Sequence, residues 1–93
     1  MSKKMCEAQL KITNKLGLHA RAALKFVELS SKHSSQITVA KEGRVVNGKS
    51  IIGLMTLAAQ KGSVLSIEAS GEDEKELIDA LRNLVTNKFG ESA

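Results

Sequence analysis

The sequence of 93 residues contains no proline, no tryptophan and no tyrosine, and only two phenylalanines. Scarce aromatics weaken any reading that depends on base stacking, such as RNA-binding sheets or single-strand platforms. The core must instead be aliphatic, built from Leu, Ile, Val, Ala and Met. One cysteine, Cys6, cannot form an internal disulfide, and no ligand cluster surrounds it in sequence. That suits a reducing compartment, with Cys6 read as a small strand residue. Residues 1–10 lack the continuous apolar run of a signal peptide. No segment approaches the roughly 20 apolar residues of a membrane span. A cytoplasmic protein is expected. The net charge of +4 is modest and dispersed. With no basic stripe, finger spacing or recognition-helix pattern, nucleic acid is not an expected partner. A basic surface favours an acidic or phosphate-bearing protein partner.

What is present fits one small domain, 42% hydrophobic and 26% charged. Residues 1–93 are read as that domain, with residues 1–5 and 90–93 as loose tails. Residues 6–13 alternate at Ala8, Leu10 and Ile12 and predict a half-buried strand. From Ala20 the period changes: Ala20, Ala23, Leu24 and Val27 predict an amphipathic helix to about residue 32. Strands follow at 36–40 and 44–47, joined through "KEG". Residues 50–62 are short and apolar, with Ser50 as a candidate N-cap. Gly53 weakens that helix by about 1 kcal/mol. A fourth strand spans 63–70. The last helix carries Leu77, Ile78, Leu81, Leu84 and Val85 in one stripe, acidic residues at its start, and Lys88 and Gly90 at its end. The order β-α-β-β-α-β-α is best satisfied by an α+β fold, one mostly antiparallel sheet with helices on one face.

The stretch Asn14–Ala23, "NKLGLHARAA", carries the chemistry. Gly17 permits a tight or positive-φ turn just before the helix. His19 then falls at or near the N-cap, where the free N–H groups and the positive dipole end disfavour an imidazolium and suit a phosphate. Arg21 offers a charge-assisted fork to the same anion. A nucleophilic ring nitrogen beside an anion site is what phosphoryl transfer through histidine needs. The same spacing is also compatible with a plain reading, in which His19 is an imperfect cap and Arg21 a solvated charge. The other histidine, His33, lies in the polar run "SSKHSS". No Cys, His or carboxylate stands at metal-ligand spacing from His19, so no metal and no cofactor are expected.

"GLHARAA" after a strand, followed by "NGKSIIGLMTLAAQKG", resembles the HPr family, the histidine phosphocarriers of the bacterial phosphotransferase system. The resemblance covers essentially the whole chain. "ITNKLGLHARAALKFVEL" is most like the nitrogen-related (NPr) branch, and Leu16 stands where sugar-type carriers have Ser or Asn. The resemblance implies an HPr-like open-faced β-sandwich with strand order 1-4-2-3 and three helices on one face. It implies that His19 accepts a phosphoryl group at Nδ1 from phospho-Enzyme I and passes it to an Enzyme IIA-type protein. The chain would be a carrier and not an enzyme, acting as a monomer. Arg21 would contact the phosphate and Gly17 would form the active-site turn. Ser50 matches the serine modified by HPr kinase/phosphorylase; as a residue it is equally an ordinary N-cap. Leu18, Lys25, Lys49, Ile51, Ile52 and Met55 would meet partner proteins, although an Ile/Met stripe alone more often packs into a core. A regulatory binding module, controlling a kinase, transcription factor or transporter, is the alternative. One departure stands out. The family pattern has proline after the arginine, and here that place is Ala22, which leaves one more N–H and a looser first turn.

Overall fold

A computed structural model of the chain describes residues 5–93. All but Met5 of the expected N-terminal tail lies outside the described residues. The elements run β1 (Cys6–Lys11), α1 (Ala20–Ser31), β2 (Gln36–Lys41), β3 (Arg44–Asn47), α2 (Ile51–Thr56), β4 (Val64–Ser70) and α3 (Glu74–Thr86). The strands form one antiparallel sheet in the order β1-β4-β2-β3. Alternation puts Ala8, Leu10, Ile37, Val39, Leu65, Ile67 and Ala69 on the covered face. Their register stacks them across strands, with Leu10 opposite Leu65 and Val39 opposite Ile67. The fold is therefore the α+β open-faced sandwich expected from the element order.

The tight β2–β3 connection forms because Glu42 and Gly43 both take positive φ, 50° and 85°. Such a two-residue turn matches the twist of its strands. Helix α3 buries Leu77, Ile78, Leu81 and Val85 as its periodicity predicts. Asp73 precedes it and does not cap it. Its carboxylate instead accepts from the Ser34 and Ser35 N–H groups, at 3.0 and 2.9 Å, and from the Ser35 hydroxyl. That ties the α1–β2 loop to the start of α3.

Two helical expectations need correction. In α1 the buried residues are Ala22, Ala23, Phe26 and Ser30, while Ala20 and Leu24 face solvent. Ser30 is drawn inward because its hydroxyl donates to the Gly48 carbonyl at 2.8 Å. Of the expected stripe Ala20, Ala23, Leu24 and Val27, Ala23 is buried and Val27 packs against the core, and only Ala20 and Leu24 turn outward. Helix α2 has six residues, not the thirteen of the predicted segment 50–62. Ala58 takes φ 50° and ends it, and the Ala59 carbonyl then accepts the Leu18 N–H at 2.8 Å. Long-range pairing overrides local propensity there.

Candidate functional site

The turn between β1 and α1 is built around Asn14, which is fully buried. The Asn14 carbonyl accepts the Gly17 N–H at 3.2 Å, and Asn14 Nδ2 donates back to the Gly17 carbonyl at 2.8 Å. Gly17 takes φ +71°, and a Cβ there would lie 2.5 Å from the Ala59 carbonyl oxygen. Glycine is needed on both counts. The next residue, Leu18, is 5% exposed and packs into the core. It was expected among the partner-facing residues; its burial makes it a wedge beneath the turn instead. His19 follows as the N-cap of α1, with extended backbone and no side-chain cap bond. The N–H groups of Ala20, Arg21 and Ala22 accordingly have no acceptor within the helix.

The His19 ring is 28% exposed, and its Nε2 pairs with Glu91 Oε2. Glu91 Oε1 accepts the second N–H of Asn14 Nδ2 at 2.9 Å. Within the stretch 90–93 expected to be loose, this contact holds Glu91, which is only 19% exposed and is bonded on both oxygens. The chain reaches His19 through a 3-10 turn, Lys88–Gly90, in which Lys88 and Phe89 take φ 56° and 55°. Phe89 is buried as the anchor of that turn. Lys25 Nζ donates to its carbonyl at 2.6 Å, and the Glu91 N–H bonds the Lys88 carbonyl at 2.9 Å. Sequence reasoning missed Glu91. The usable signal was a rare aromatic, Phe89, placed just after the end of an amphipathic helix.

Electrostatics favour an ionised Glu91. Burial alone would push its carboxyl up, but hydrogen bonds from Asn14 and His19 and the charges of His19 and Lys25 outweigh it and hold it below its ordinary value. An ionised carboxylate is acceptor-only, so the His19 nitrogen facing it must carry a hydrogen. Nδ1 is then the nitrogen with a free lone pair when the ring is neutral. His19, Arg21 and Glu91 line one hollow with Lys15, Leu16, Ser92 and Ala93. Arg21 is exposed, and its guanidinium makes no hydrogen bond or ion pair with the described residues. The arrangement offers a nucleophilic nitrogen, an unengaged guanidinium and a free helix start.

The remaining predicted residues lie elsewhere. Ser50 caps α2: its Oγ accepts the Gly53 N–H at 3.0 Å. Ile52 is 78% exposed, Met55 is exposed and Ile51 is half-buried. Leu16, at 69%, is an exposed apolar residue on the histidine hollow itself. Lys25 is held by Phe89, and Lys49 Nζ donates to the His33 carbonyl at 2.8 Å. Cys6 lines a separate hollow, where a hydrogen bond to Glu74 and partial burial push its thiol pKa up. Among the described residues no group of three His, Cys, Asp or Glu side chains is placed to hold a metal ion. No described helix is long and apolar enough to cross a membrane.

Comparison with known proteins agrees with this geometry. Residues 6–87 match the family model for the HPr component phosphorylation site of the phosphotransferase system. The chain is 49% identical over 87 residues to the phosphocarrier protein HPr of Xylella fastidiosa, covering 94% of this chain and 98% of that one. The crystal structure of HPr from Thermoanaerobacter tengcongensis superposes with a TM-score of 0.91 at 49% identity, over 95% of this chain and 99% of that one. An HPr dimer structure from the same organism matches at 0.75 and 51% identity, over 88% and 94% of the two chains. A buried turn that presents one histidine at a helix start, on this sheet topology, thus comes with the family's own sequence pattern: the chain belongs to the HPr family, the phosphocarrier proteins of the phosphotransferase system.

Proposed function

We propose that His19 is the phosphoryl-bearing residue of this phosphocarrier and that Nδ1 is the bonding nitrogen. The observation that carries this reading is the Glu91 contact at Nε2, which occupies one ring nitrogen and leaves the other. The Nδ1 lone pair attacks the phosphorus of a donor phosphohistidine on Enzyme I. The new P–N bond forms as the donor's P–N bond breaks, and that electron pair returns to the donor ring. No proton has to move. The phosphorylated His19 ring, substituted at Nδ1 and protonated at Nε2, is cationic and faces the Glu91 carboxylate. Arg21 and the N–H groups of Ala20, Arg21 and Ala22 neutralise the phosphate oxygens. Transfer to an Enzyme IIA-type acceptor is the reverse step on a new partner. The exposed apolar residues Leu16, Ile52 and Met55 are the proposed docking surface, with Ile51 at its edge. Lys25 and Lys49 contribute mainly by holding backbone carbonyls. The carrier is proposed to act in the cytoplasm as a monomer.

Incubation with Enzyme I and phosphoenolpyruvate tests the reading. An acid-labile, base-stable phosphate is expected on the wild-type chain and none on His19→Ala; equally low incorporation by both overturns it.

A regulatory reading is centred on Ser50, whose half-buried hydroxyl caps α2. Modification by an HPr kinase would put close to two negative charges beside the exposed Ile52. Its test is labelling with kinase and ATP, and the absence of acid-stable phosphoserine removes it.

A further inference from the structure

Asn14 is a buried polar side chain whose bonding does more than close its own turn. Its Nδ2 has two hydrogens and meets two acceptors, the Gly17 carbonyl at 2.8 Å and Glu91 Oε1 at 2.9 Å. A hydroxyl side chain has one hydrogen to donate and could serve only one of them. Its own Oδ1 is buried without a partner. Turning the amide over would set that oxygen against two other oxygens, so the donor must face Glu91. An unpartnered buried oxygen carries a desolvation cost. The cost is understandable if the two donors are needed where they point.

Glu91 sits between Asn14 and His19 with one oxygen assigned to each. A carboxylate on a short tail segment can rotate and shift. The bond from Asn14, a residue fixed in the core, holds the carboxylate so that Oε2 stays on Nε2 of His19. We propose that Asn14 is a positioning residue: acting through Glu91, it keeps the His19 proton on Nε2 and leaves Nδ1 open. The proposal rests on the reading of His19 as the phosphoryl acceptor. It assigns the tautomer to a side chain that never touches the imidazole, much as second partners orient histidines that bind metals.

The test reads the tautomer directly, on the full chain with ring nitrogens labelled with 15N, by two-bond proton–nitrogen correlation of the neutral imidazole. Wild type is expected to carry the proton on Nε2. In Glu91→Gln, Asn14 claims the amide oxygen, so the amide NH2 meets Nε2 and the proton moves to Nδ1. In Asn14→Leu, which keeps the size but removes both donors, the ratio of Nε2–H to Nδ1–H falls several-fold. Acceptance of phosphate from phospho-Enzyme I then slows about 10-fold or more. Glu91→Gln with the proton still on Nε2, or a folded Asn14→Leu with the wild-type ratio, overturns the proposal. If Asn14→Leu does not fold, Glu91→Gln decides alone. Because the spectra need no Enzyme I, absent phosphorylation with the expected tautomers counts against the carrier reading and not against Asn14.

Discussion

Lys25 on α1 donates from Nζ to the carbonyl of Phe89, 2.6 Å away, and so fastens the turn that brings Glu91 to His19. The ammonium is half-buried and its acceptor is backbone, so the bond is structural as well as charge-assisted. Lys25→Met keeps the stem and removes the donor. It is expected to lower stability by about 1.5–3 kcal/mol, the range for a hydrogen bond to a charged group, measured by urea denaturation. A change confined to Enzyme I affinity, with stability unchanged, would make Lys25 a docking residue instead.

Phe89 fills the core at the end of that turn despite its left-handed backbone. Phe89→Ala should cost about 3–5 kcal/mol. It should also release Glu91, seen as a loss of the Nε2 contact in the His19 ring spectra. Phe89→Leu should retain most of both.

Gly17 meets two constraints at once, a positive φ and the approach of Ala59. Gly17→Ala is expected to destabilise by more than about 1 kcal/mol and to displace the His19 turn. Ala22 is a different case. It is the third residue of α1, so its N–H has no acceptor within the helix. Ala22→Pro therefore removes no helical bond and should change stability by no more than about 1 kcal/mol, read from the thermal midpoint.

Asp73 gives a pH signature. The Ser35 hydroxyl, opposed by burial and aided by the Ser34 and Ser35 N–H groups, lowers its pKa from 3.8 to about 2. A depressed folded-state value means that the contribution is fully present above the ordinary carboxylate range. It is lost as the pH falls from about 4 through about 2. The urea midpoint of wild type should drop across that window. Asp73→Asn should start lower at neutral pH and show a flatter acid limb.

How far the sequence reached is clear from particular residues. Strand β1 was legible because Ala8 and Leu10 alternate within it and Ile12 continues the pattern just past its end, all three buried. Stripe α3 was legible because Leu and Ile repeat at helical spacing between polar residues. In α1 the alanines carry little patterning signal, and the deciding residue was Ser30, whose bond to Gly48 spans 18 residues. The end of α2 was set by Ala59 meeting Leu18, which no local propensity encodes. The site was half legible. Gly17, His19 and Arg21 are neighbours in sequence. Glu91 is 72 residues from the histidine it touches, delivered by two left-handed residues and a buried aromatic.

The bond between phosphorus and the His19 ring tests the account most directly. The chain, labelled with 15N in its histidines and phosphorylated by Enzyme I and phosphoenolpyruvate, should show one phosphorus–nitrogen coupling, to Nδ1 of His19, with Nε2 still protonated. A phosphoryl group on Nε2, on His33, or on no histidine would contradict it.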